Sequence, residues 1–199
     1  MLKDQPIYSL DIEMGSAIFF NQGKEEKFSL QNPSFVPTQK LLDGLWNVSF
    51  DGVVCKEGAG AGVWVQLPGG GALNYSYKFS FDCTNNEEEY EALMLAIQVL
   101  KIFQVKRVVI HGDLELVLKQ LQGECQERHL RMRSYRNVVL DLIEYFKDCK
   151  FSLIPRLQNG VANSLATFVA VFKIPIYPNK RYEIEVKHRP YVPDNVKSW

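Results

Sequence analysis

From Leu73 to Phe81 the chain alternates. Leu73, Tyr75, Tyr77, Phe79 and Phe81 fall on one side of an extended backbone, with smaller or polar residues between them. That period of two predicts a strand with one buried face. Two shorter pieces before it read the same way: Leu45–Phe50 and Val63–Leu67, the second entered through a glycine-rich link over Gly58–Gly62 and left through a hairpin turn at Pro68–Gly71. From Glu87 to Phe103 the period changes. Ala92, Leu95, Ala96, Val99, Leu100 and Phe103 recur at helical spacing, and three glutamates stand where a helix N-terminus favours negative charge. Arg107–His111 is a short strand with an apolar centre, of the kind found in parallel sheets. A short helix over Leu114–Leu121 follows, then a longer amphipathic helix over Leu130–Phe146 with Tyr135, Val138, Val139, Leu142, Ile143 and Phe146 on one face. Phe151–Ile154 reads as a fifth strand and Ala162–Phe172 as a last helix. Three strands joined by hairpins, then helix and strand in alternation, predict an α/β fold: a mixed five-stranded sheet, its first three strands antiparallel, flanked by helices.

Outside residues 45–172 the pattern weakens. Residues 1–44 are broken by Pro6, Gly15, Gly23, Pro33 and Pro37 and read as an irregular N-terminal extension. Residues 173–199 are rich in Pro, Lys and Tyr and read as a tail, with one extended piece at Tyr182–Val186. Composition then narrows the class. With 199 residues, 46% of them hydrophobic, the chain can bury a core. The formal net charge is +0, which argues against a strongly cationic nucleic-acid binder and leaves room for a local basic groove. Cys55, Cys83, Cys125 and Cys149 occur singly, without a CxxC pair, which is the usage expected of inert reduced thiols in an intracellular protein of nucleus or cytoplasm. No apolar run is long enough for a membrane span, and the N-terminal residues lack the basic and then apolar pattern of a secretory signal.

The candidate chemistry is acidic. Asp51 ends the first predicted strand, Glu89 lies in the first turn of the first helix, and Asp113 ends the fourth strand. In open α/β sheets, sites form beyond the carboxyl ends of strands. Asp51 and Asp113 meet at one edge if their strands are neighbours, and Glu89 can reach them from the helix beside it. Carboxylates gathered in this way repel one another unless a cation sits between them, and hard oxygen ligands suit Mg²⁺. Taken singly, each has a plainer reading: Asp51 before Gly52 as a turn residue, Glu89 as helix-start electrostatics, Asp113 as a helix N-cap.

Four motifs occur together and in order: Phe50-Asp51-Gly52; Thr84-Asn85-Asn86 with Glu89-Tyr90-Glu91-Ala92; Gly112-Asp113 with Val117 and Gln120; and Ile154-Pro155-Arg156 with Asn159, Ala162, Leu165 and Ala166. In this order the chain resembles the type 1 ribonuclease H family over about residues 44–172. More narrowly it resembles the ribonuclease H domain of plant Ty3/gypsy-type retrotransposon polyproteins, whose segment leading toward integrase the tail also resembles. The resemblance implies a ribonuclease H-like fold and a metal-dependent endonuclease that cuts RNA in RNA/DNA hybrids, using two Mg²⁺ (or Mn²⁺) held by an Asp-Glu-Asp-Asp set. It implies catalytic positions at Asp51, Glu89, Asp113 and Asn163, metal ligands at the first three, and nucleic-acid contacts at Thr84, Asn85, Asn86, Arg156 and Asn159, with RNA/DNA hybrid or RNA as partner.

The departures from that family carry as much as the matches. Asn163 stands where the last Asp is expected and offers a neutral carbonyl oxygen. Val53 and Leu114 replace the family's usual serines. No histidine precedes Asn163 in the loop where many relatives have one, and Arg156 is the nearest polar residue there. Loss of one ligand charge implies weak metal binding or none, and so an impaired enzyme. The alternative is an inactive module that binds nucleic acid or a protein partner. Arg128, Arg131, Arg133 and Arg136 read equally as a phosphate track and as a solvated helix face; His111 and His129 have no ligand-like spacing.

Overall fold

The computed structural model describes residues 16–21, 24–29, 37–113, 119, 130–171 and 185–193. The helix expected over Leu114–Leu121 lies outside them apart from residue 119, as do Arg128, His129 and Cys125.

The central sheet is built from β3 (Trp46–Cys55), β4 (Gly58–Gln66), β5 (Ala72–Phe79), β6 (Arg107–Gly112) and β7 (Asp148–Leu153) in the spatial order β5-β4-β3-β6-β7. β3, β4 and β5 are antiparallel neighbours, whereas β6 and β7 run parallel to β3. This is the mixed five-stranded sheet that the hydrophobic pattern predicts. It continues past β5. β1 (Ser16–Asn21) and β2 (Lys24–Ser29) form an antiparallel hairpin that meets β5 at Ile18↔Asn74, and β8 (Glu185–Lys187) pairs in parallel with Tyr77–Phe79. Part of the N-terminal stretch read as irregular therefore contributes strands, and β8 overlaps the extended piece expected at Tyr182–Val186.

Two expectations shift in the first hairpin. β3 does not stop at Asp51 but runs on to Cys55, and the glycine-rich link over Gly58–Gly62 is itself strand. The reason is close packing. Helix α4 (Gly160–Val171) lies on this face, and a Cβ on Gly62 would collide with Ala162 O and stand 2.7 Å from Ala166 N. Glycine here is what lets the helix backbone touch the sheet.

Helix α1 (Gln39–Leu42) precedes the core and accepts the Trp46 indole N–H at Leu41 O, 2.8 Å. Helix α2 (Asn85–Ile102) begins at Thr84 with a capping box: the Thr84 hydroxyl oxygen accepts from Glu87 N–H, and Glu87 accepts from Thr84 N–H at 2.8 Å. Its apolar residues are buried nearly all round because it lies between β3 and β4 on one side and α3 (Leu130–Ile143) on the other. Tyr90 of α2 stacks on Tyr135 of α3 and Trp46 of β3 on Phe103. Gly52 looks toward α2 and Gly62 toward α4. Since Asp51 pairs with Gly62, alternation puts Asp51 on the α4 face and Gly52 on the α2 face. Among the described residues no helix is long and apolar enough to cross a membrane. Cys55, Cys83 and Cys149 are free thiols; burial, first of all, pushes Cys149 up to about 11 and Cys83 up to about 12, so both stay protonated and unreactive.

Candidate active site

The acidic residues converge. Asp51 sits in β3, Glu89 in the second turn of α2, and Asp113 directly after β6. Because β3 and β6 are parallel neighbours, Asp51 and Asp113 emerge side by side, and the start of α2 brings Glu89 over them. Each offers a carboxylate oxygen, and these atoms all lie within 4.8 Å of one another.

Their surroundings are poor in water. Asp51 is 2% exposed, and Glu89 Oε2 is buried without a hydrogen-bond partner. Burial, reinforced by Asp113 and opposed by the Asn163 hydrogen bond and Arg156, lifts Asp51 from 3.8 to about 6. Burial, reinforced by Asp51 and Asp113, lifts Glu89 from 4.5 to about 8. Three hard oxygens held together against their mutual repulsion, one with an orphaned lone pair, are a donor set that suits a divalent cation.

Asn163 lies in α4 on the same side. Its Nδ2 donates to Asp51 Oδ2 at 2.6 Å, so the amide presents N–H to the cluster and occupies a lone pair that a metal ligand would use. The position is where the motif predicts it; the chemistry is that of a donor.

The expected nucleic-acid contacts divide. Asn85 is exposed and Asn86 half-buried at the start of α2; Thr84 is exposed, but its hydroxyl is engaged with Glu87. Arg156 is exposed in a one-turn 3₁₀ helix (Arg156–Asn159), and its charge lowers Asp51, Glu88 and Glu89. Asn159 is different. It is 1% exposed, and its Nδ2 donates to Phe50 O at 2.9 Å and Asp113 Oδ1 at 3.0 Å. It is a strut that ties the 3₁₀ turn to β3 and orients Asp113, and burial keeps it from facing a nucleic-acid strand.

Glu88 is the residue that sequence reading missed. It is 2% exposed, its Oε1 has no partner, and burial followed by the charges of Glu89 and Asp51 pushes it up to about 9. It is therefore a neutral acid at pH 7, packed beneath Gly52 on the α2 face of β3. A signal existed: Glu88 continues the Ala92, Leu95, Val99 stripe one turn back. A Cβ on Gly52 would lie 2.5 Å from Glu88 Cδ. Gly52→Ala is expected to cost about 1–3 kcal/mol through overpacking, and adding Glu88→Ala should recover most of that loss by clearing the space. A double variant no more stable than Gly52→Ala in chemical denaturation would show that Glu88 is not what confines Gly52.

Known proteins are similar over the part of the chain that carries this site. The family model described as "Reverse transcriptase-like" matches residues 49–169. A ribonuclease HI of Halobacterium salinarum is 32% identical over 104 residues, 52% of this chain and 52% of that one, so the chain spans about half the length of that relative. The crystal structure of RNase H1 from the same halophilic archaeon superposes with a TM-score of 0.60 at 28% identity, covering 63% of this chain and 97% of that one. LC11-RNase H1, solved in complex with an RNA/DNA hybrid, gives 0.57 at 26% identity, covering 63% and 96%. The matched residues span Asp51, Glu89, Asp113 and Asn163, and the described sheet has the strand order and directions derived above. On these grounds the chain has a ribonuclease H-like fold and belongs to the reverse transcriptase-like family.

Proposed function

We propose that this protein is a retroelement-derived ribonuclease H-like endonuclease that cuts the RNA strand of RNA/DNA hybrids in an intracellular compartment, at a rate impaired by Asn163. The observation that carries the reading is the convergence of Asp51, Glu89 and Asp113 within 4.8 Å, with Asp51 buried and the other two partly so. These three would hold Mg²⁺ or Mn²⁺, and a divalent ion there supplies activation of water and stabilisation of the leaving oxygen of a phosphodiester. The chain's own residues do the rest. Asn159 orients Asp113, the α2 start offers Asn85 and Asn86 to the sugar-phosphate edge of a hybrid, and Arg156 offers a cation to phosphate. The resemblance in motif order to plant Ty3/gypsy-type domains supports the retroelement origin.

A second reading, a module that binds hybrid without cutting, has one observation in its favour: Asn163 donates a hydrogen bond to Asp51 where a fourth carboxylate would stand. Incubation of a labelled RNA/DNA hybrid with the protein in Mg²⁺ and in Mn²⁺ separates the two. Cleavage that Asp51→Asn reduces at least about 10- to 100-fold is expected. Salt-sensitive binding with no cleavage would give the second reading, and neither binding nor cleavage would sink both and leave a protein-interaction role.

A further inference from the structure

Glu91 is fully buried and has no part in the acidic cluster, yet three donors converge on it. Tyr135 O–H reaches its Oε1 at 2.8 Å, the backbone N–H of Tyr191 the same oxygen at 2.6 Å, and Lys187 Nζ its Oε2 at 2.8 Å. Two of the three come from the C-terminal segment 185–193, a stretch that lies beyond the residues matched by the family model. A carboxylate at this depth is tolerated only with its partners in place, and removing one leaves an uncompensated charge.

The same segment is gripped at other points. β8 pairs with β5, Ser80 N–H donates to Lys187 O at 3.0 Å, and Val192 is 2% exposed. Arg131 Nη2 donates to Val192 O at 3.2 Å, while its Nη1 meets Glu87 Oε1 at 2.6 Å. Glu87 in turn holds the Thr84 N–H and hydroxyl through Oε2. Glu87 and Glu91 are one turn apart on the same face of α2. Glu89 lies between them in sequence and points the other way, to Asp51 and Asp113. The segment thus holds both ends of the turn that carries Glu89, directly at Glu91 and through Arg131 at Glu87.

We propose that residues 185–193 are a strap that fixes the first two turns of α2, with Lys187 a positioning residue and Glu91 its anchor, so that Glu89, Thr84 and Asn85 are presented in one geometry. Its bearing on activity rests on the hybrid-nuclease reading; its bearing on α2 does not.

The test uses the full chain with Lys187→Met, Lys187→Arg, and Lys187→Met combined with Glu91→Gln. The combined variant removes both charges together and leaves no buried charge unpaired, so it keeps the fold if the single variant does not. Amide hydrogen exchange is followed in the peptide covering residues 84–91, with β3 as internal reference, alongside affinity for a labelled RNA/DNA hybrid and kcat in Mn²⁺. Exchange over 84–91 is expected to quicken about tenfold, within the roughly 5- to 150-fold usual for coupled elements. β3 stays unchanged, affinity and kcat fall in parallel, and Lys187→Arg restores all three. Faster exchange confined to 185–193 would overturn the proposal, making the strap a passive cover. So would a loosened α2 with unchanged affinity and kcat in a protein that cuts. If the unaltered protein neither binds nor cuts the hybrid, the nuclease reading falls, and the exchange pattern alone decides whether the strap sets α2.

Discussion

Replacing Asn163 by Asp is expected to raise the rate of the proposed hybrid cleavage in Mg²⁺ by about 10- to 100-fold, the range lost when even an outer partner of a metal site is removed. The geometry gives the reason. In the present chain the Asn163 amide donates to Asp51 Oδ2 at 2.6 Å, so one lone pair of a buried carboxylate is spent on a neutral group and the site has three negative charges to offer. An aspartate on the same turn of α4 offers a fourth. The substitution has an opposite effect without metal: a hydrogen bond becomes a contact between like charges, and the metal-free variant should be less stable by about 1–3 kcal/mol. Mg²⁺ or Mn²⁺ should return that loss. The pair of effects is diagnostic. A variant that cuts no faster, and whose metal-free unfolding midpoint is unmoved, would show that residue 163 does not stand at a ligand position.

The metal-free protein is expected to be most stable in mild acid and to lose stability as the pH rises toward 9, the reverse of an ordinary protein with paired carboxylates. Asp51 titrates near 3.8 when unfolded and about 6 in the fold. Between those values the native state holds a proton that the unfolded chain has released. Stability therefore falls with rising pH across that window and levels above it. The span, at about 1.36 kcal/mol per pH unit, is about 3 kcal/mol. Glu89 extends the fall to about 8 and Glu88 to about 9, burial being the first cause in each. A divalent cation binds only the ionised cluster, so its stabilisation should be absent at pH 5 and large at pH 8. Thermal unfolding from pH 5 to 9, with chelator and with Mn²⁺, reads both curves. A flat chelator curve, or equal stabilisation by Mn²⁺ at pH 5 and 8, would mean that the three carboxylates are not held together as described.

Much of this was legible along the chain because it is local. The alternation over Leu73–Phe81 and the helical spacing of Ala92, Leu95, Val99 and Phe103 depend on one buried face each, and the structure has a strand and a helix there. The switch from hairpins to alternating helix and strand was enough to predict the mixed sheet and its directions. The misreadings come from contacts distant in sequence. Gly58–Gly62 looks like a linker until α4, a hundred residues later, lies against it. Glu88 looks like helix-start electrostatics until Gly52 opens the space it fills. Asn159 looks like a nucleic-acid contact until Phe50 O and Asp113 are brought to it.

By itself, then, the sequence determined the five central strands, the three long helices beside them and their order, and singled out Asp51, Glu89 and Asp113 as the candidate acids, since periodicity and motif spacing are properties of the chain. Tertiary structure alone decided that the three carboxylates meet within 4.8 Å, that Asn163 faces them with its N–H, and that Glu91 buries its charge against a strap from the far end of the chain. Those outcomes depend on how faces pack and on what burial does to charge, and neither has a signature within any one segment.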